Sequence, residues 1–130
     1  MSTELKTANL ASTILTNKIV VDTKLDQTAV VDVTQGPGTL YAIEVDATAT
    51  NAGGHQYLKL KLTTADVTVG QTIPDAMIRC VAQKRFVTCF PGGLPYTSLT
   101  AWLTSSEADN ATTNSEAAAQ RNTIVRFVTS

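Results

Sequence analysis

Histidine is almost missing from this chain: His55 is the one copy in 130 residues. It sits in Gly53-Gly54-His55 with no carboxylate near it in sequence, and no Gly-x-Ser-x-Gly elbow occurs, so triad chemistry lacks its parts. The expectation for His55 is an exposed loop-tip residue ahead of a strand, and for the chain, no enzyme. Cysteine is scarce, with only Cys80 and Cys89. A metal site would need further ligands, and a chain of this length buries enough surface to fold without metal or disulfides. Charged residues are few at 16% against roughly 25% in ordinary soluble domains. Ten Lys and Arg balance eleven Asp and Glu, which leaves no basic footprint for nucleic acid and no polybasic membrane patch. No apolar run approaches the roughly 18 residues of a membrane-spanning helix. The first residues, Met1 to Leu10, carry an early acid and no apolar h-region, so a secretory signal peptide is not expected and the chain is expected to stay in the cytosol where it is made. Asp22, Asp26, Asp32, Asp46, Asp66, Asp75 and Asp109 follow no calcium-loop spacing and read as Asx turns at strand ends. Gly70-Gln71-Thr72-Ile73-Pro74-Asp75 lacks the glycines and lysine of a phosphate loop. No cofactor and no metal are expected.

What the chain does have is threonine, about one residue in six, and a hydrophobic period of two. In Tyr57-Leu58-Lys59-Leu60-Lys61-Leu62 the leucines share one face, and Tyr57, Lys59 and Lys61 share the other, the pattern of a strand with one wet side. Leu40 to Asp46 places Tyr41, Ile43 and Val45 inward against Glu44 and Asp46. Further strands are predicted at Lys18–Asp22, Thr28–Thr34, Met77–Ala82, Arg85–Phe90, Ser98–Thr104 and Asn122–Thr129. Loops are predicted at Asn51 to Gly54, Gln35 to Gly38 and Phe90 to Pro95. About eight strands in one domain predict an all-β, two-sheet sandwich, jelly-roll-like in the first instance and immunoglobulin-like in the second. Met77–Ala82 and Arg85–Phe90 read as a hairpin. Only a turn at Lys84-Arg85 would bring Cys80 and Cys89 into disulfide register; otherwise they are two small buried hydrophobes.

Two stretches fall outside this pattern. Residues 1–17 form an N-terminal arm ahead of a sandwich domain at 18–130, and Leu5, Leu10, Ile14 and Leu15 dot the arm with apolar side chains that either fray or dock on a neighbouring subunit. Glu107 to Arg121, rich in Ala, Asn, Ser and Thr, is a flexible loop or carries a short helix. Trp102 alternates with Leu99, Ala101 and Leu103 and so belongs to the opposite face, where it covers the sandwich or meets a partner. Leu5, Leu10, Ile14, Leu15 and Trp102 are therefore the candidate assembly residues. Net charge is −3 over residues 1–50, +3 over 51–90 and −1 over 91–130. Either that segregation survives folding and favours docking between copies, or the sheets interleave it away.

The succession Gly38 to Asp46, Tyr57-Leu58-Lys59-Leu60, Val69 to Asp75 and Phe90-Pro91-Gly92-Gly93-Leu94 resembles small all-β virion proteins of tailed bacteriophages, particularly those of marine and cyanobacterial phages. The resemblance covers roughly residues 18–105. It implies a non-enzymatic virion structural protein, first a capsid decoration or cement protein bound to the major capsid protein or other virion proteins. A tail, neck or fibre component forming its own ring or trimer is the alternative. It further implies a homo-oligomer located in the virion, with no nucleic acid or membrane partner. Cys80, Cys89 and the Glu107 to Arg121 stretch are not features of that group. A carbohydrate-binding module is the rival from another class, because jelly rolls also host lectins.

Overall fold

A computed structural model describes residues 5–9, 18–50, 54–113 and 123–130, the first of these stretches by its backbone only. Eight strands build it: β1 Leu5–Asn9, β2 Lys18–Asp22, β3 Gly38–Asp46, β4 Gln56–Lys61, β5 Ala76–Cys80, β6 Arg85–Tyr96, β7 Thr100–Thr104 and β8 Ile124–Thr129. They form two antiparallel sheets, a larger one ordered β1-β2-β8-β3-β6 and a smaller one ordered β5-β4-β7. Leaving out β1, the order β2-β8-β3-β6 beside β5-β4-β7 is that of a jelly-roll sandwich short of one strand in the smaller sheet. Residues 28–34 run where the smaller sheet's fourth strand would lie, but their ladder pairing with β7 is limited to the Val30–Ala101 bridge before they turn. The strand predicted there is thus reduced to one bridged residue. Asp32 and Gln35 take left-handed backbone (φ 51° and 59°), which an extended strand cannot accommodate.

The core forms as the period-two pattern requires. Leu58 and Leu60 of β4 lie beside Leu103 and Ala101 of β7, and all four are fully buried. Val20, Ile43, Val45, Val125 and Phe127 line the facing surface of the larger sheet. Burial of each large apolar side chain contributes about 1.5–3 kcal/mol. Leu62 completes the leucine face at the edge of the core.

Three predicted features are corrected. Tyr41, predicted inward, is exposed, because the register of β3 slips between Leu40 and Ala42 and a one-residue slip exchanges the two faces. Leu40 is buried in its place. Phe90 to Pro95, predicted as a loop, lies inside the twelve-residue β6. Leu40 pairs with Leu94 and Ala42 with Cys89, so Phe90 to Gly93 bulge out against Tyr41 alone. Gly92 and Gly93 take the left-handed conformation this needs, and a Cβ on Gly93 would lie 2.3 Å from the Thr39 methyl. Lastly, β5 and β6 are no hairpin: β5 pairs with β4 and β6 with β3, so the Val81–Lys84 turn arches from one sheet to the other.

Candidate functional site

Of the candidate assembly residues, Leu5 begins β1, which pairs antiparallel with β2. Leu10, Ile14 and Leu15 lie outside the described residues, as does the rest of the predicted arm apart from β1. Trp102 is fully buried. Of its two predicted roles the structure places it in the covering one, which removes it from any exposed contact surface. Of the described members, Leu5 lies on β1 of the larger sheet and Trp102 on β7 of the smaller.

The surroundings of Trp102 account for its burial. On the outer face of the smaller sheet it stands directly across from Lys59, flanked by Thr100 and Thr104, and each of these four side chains is buried. Residues 26–33 cover one border of the face: Leu103 N donates to Asp26 O at 2.8 Å and Asp32 N to Thr100 Oγ1 at 3.3 Å. Residues 105–113 close the other, where the Lys59 ammonium donates to the Ala108 carbonyl. Gly70 packs so closely against this cover that a Cβ there would stand 2.4 Å from the Thr112 methyl. Lys59, predicted to be wet, is thus enclosed, and burial lowers the pKa of its amine against the opposing pull of Asp109. The Trp102 Nε1 has no hydrogen-bond partner among the described residues. Sequence reasoning missed this site, although the stretch set aside as foreign to the sandwich supplied part of its cover.

A second buried charge was also missed. Asp22 points into the sandwich beside Val20, with Oδ1 accepting from Lys24 N at 2.9 Å and Oδ2 without a partner among the described residues. Burial raises its pKa to about 6, opposed by the Lys24 bond and reinforced by Asp26. Asx turns of the predicted kind form at Asp26, which accepts from Thr28 N at 2.8 Å, and at Asp46, which accepts from Thr48 N at 3.0 Å. Asp75 accepts from Leu62 N at 2.8 Å and Lys61 Nζ at 3.1 Å, fixing the loop after Pro74 onto β4.

Remaining candidates for chemistry are dispersed. His55 is exposed and its Nδ1 accepts from Ala82 N at 3.4 Å, which pins the start of β4 to the arch. Both cysteines are free; Cys80 is buried, its thiol pushed up to about 12, whereas Cys89 is exposed on β6. The reading of two buried hydrophobes holds for Cys80 alone. Among the described residues no cluster of His, Cys, Asp and Glu could hold a metal ion, and no helix is long and apolar enough to cross a membrane. A shallow pocket of about 270 Å³ is lined by Leu62, Thr63, Pro95, Tyr96 and Thr97.

The surface itself is more distinctive. Glu44 Oε1 lies 3.2 Å from Arg85 Nε and 2.7 Å from Arg126 Nη1, which joins one residue from each of the three charge segments. At this point the sheets interleave the sequence's charge segregation. Large apolar side chains remain in solvent at Ile73, Val87, Val31 and Met77, the first two with 65% and 56% of their surface exposed. Val87 belongs to β6 and Met77 to β5, the two strands that end their sheets on either side of the arch. A scan of family models, a search of curated proteins and a search of solved structures each found no match for this chain.

Proposed function

We propose that this chain is a non-enzymatic structural protein of a tailed-phage virion, a capsid decoration protein that binds neighbouring capsid subunits and stabilises the assembled shell. The observation that carries the reading is the exposed apolar set Val31, Ile73, Met77 and Val87 on an all-β sandwich of few charges. Such side chains can enter a protein interface without desolvating unpaired charge, and Arg85 and Lys61 near them are already matched to Glu44 and Asp75. The resemblance of residues 18–105 to phage virion proteins supports the same reading, and its motifs lie on β3, β4, the 69–75 loop and the β6 bulge. Binding to the assembled shell and not to its dispersed subunits would stabilise it by mass action.

A sugar-binding role is less well supported, because the indole a sugar platform would use is buried at Trp102. Sedimentation of empty phage shells mixed with the purified chain tests the proposal. Saturable co-sedimentation at a fixed ratio to capsid subunits is expected. A chain left wholly in the supernatant, as its own ring or trimer, would move the reading to the tail, neck or fibre.

A further inference from the structure

The outer edge of β6 carries an inference that does not depend on the virion reading. Ala47 N donates to Lys84 O at 2.9 Å just beyond the β3–β6 ladder. Antiparallel pairing alternates along the strand. With Val45 opposite Phe86 and Ile43 opposite Thr88, the backbone groups of Phe86 and Thr88 therefore face β3. Those of Arg85, Val87 and Cys89 face away from it, and β6 has no neighbour on that side among the described residues. Their side chains lie on the outer face of the sheet, where Arg85, Val87 and Cys89 are all exposed, while Phe86 on the inner face packs against the core.

This edge is limited on both sides. Four residues before Val87 stands Gln83, whose left-handed backbone (φ 60°) ends the strand direction, and four residues after it stands Pro91, which has no N–H to donate. The usable stretch Arg85–Cys89 is thus centred on Val87 and can oppose a reversed copy of itself over its whole length.

We propose that β6 pairs antiparallel with β6 of a second copy of this chain about a dyad through Val87, joining the two larger sheets into one. In that register Val87 meets Val87 of the second copy, and Arg85 meets Cys89 of the second copy. The exchange makes about six backbone hydrogen bonds. The edge's charged side chain never faces its own counterpart, and its charge is already matched by Glu44 at 3.2 Å. Val87, 56% exposed in one copy, is covered at the dyad by its equivalent. The arrangement is isologous and closes at two copies.

Light scattering across a dilution series tests it. The mass should rise from 13.8 kDa toward twice that value with concentration. Val87→Pro removes the donor at the dyad and should stay monomeric throughout, with the parent's melting at concentrations where the parent too is monomeric, because that N–H serves no strand pairing among the described residues. Val87→Lys places two ammonium groups at the dyad, touches no backbone group, and gives the same reading should the proline variant fail to fold. Ile73→Lys, away from the edge, should dimerise as the parent does. Hydrogen exchange should show the Val87 amide slowing as concentration rises. A parent that is monomeric at every concentration, a Val87→Lys dimer undiminished from the parent, or a Val87 amide indifferent to concentration would each overturn the proposal.

Discussion

The outer faces of the two sheets began from similar sequence patterns and ended in opposite environments. On the larger sheet the face of β3 and β6 opposite the core stays open, with Val87 exposed and Glu44 held between Arg85 and Arg126. On the smaller sheet residues 26–33 and 105–113 bury Lys59, Thr100, Trp102 and Thr104. The difference lies in what crosses each face and not in the strands themselves. A period of two assigns residues to a common face, but whether that face meets water depends on segments remote in sequence.

Substitutions that should separate these environments differ widely in expected effect. Leu60→Asp puts an unpaired charge among Leu58, Leu103 and Ala101 on the shared inner face and should abolish cooperative unfolding in a thermal melt; an unchanged melt would refute the core assignment. On the covered outer face, Trp102→Ala should cost about 3–5 kcal/mol in chemical denaturation, whereas Val87→Ala on the open face should stay within about 0.5 kcal/mol. Equal losses at the two positions would erase the distinction between the faces.

Asp22 yields a pH test. Its pKa is about 6 in the fold against an ordinary value of 3.8, so the folded state holds a proton that the unfolded chain releases between these values. The stability it contributes is fully present below about 3.8 and is lost as pH rises through about 6. Asp22→Asn should therefore gain on the parent as pH rises, by up to about 3 kcal/mol at pH 8, and lose that advantage at pH 4. A difference between the two proteins that does not vary with pH would show that the carboxyl is not buried as described. A small effect is also expected at Lys59→Met, which keeps the buried stem and discards the ammonium, with a change within about 1 kcal/mol. Lys59→Glu, which reverses the charge beside Asp109, should instead be strongly destabilising.

The inward sets Leu58, Leu60, Leu62 and Ile43, Val45 were legible because each obeys a strict alternation inside a short strand. Tyr41 was not, since the slip at Leu40 depends on the Phe90–Gly93 bulge of a strand nearly fifty residues away. The same bulge hid the length of β6: Pro91-Gly92-Gly93 reads locally as a turn, and only pairing of Leu94 with Leu40 shows the strand resuming. Strands β5 and β6 looked like a hairpin because their spacing fits a short turn, and no local feature distinguishes a turn that closes a ladder from one that crosses between sheets. The two-sheet sandwich was reached from strand number and chain length, while Lys59 was assigned to solvent because charge ordinarily belongs there. The free edge of β6 could be located only once its partner on the other side was known.

The most direct test of the decoration role is calorimetry of empty phage shells with and without the purified chain. The account predicts that the shell disruption temperature rises with chain concentration and levels off when the capsid sites are filled. A disruption temperature that does not move at any concentration would contradict it.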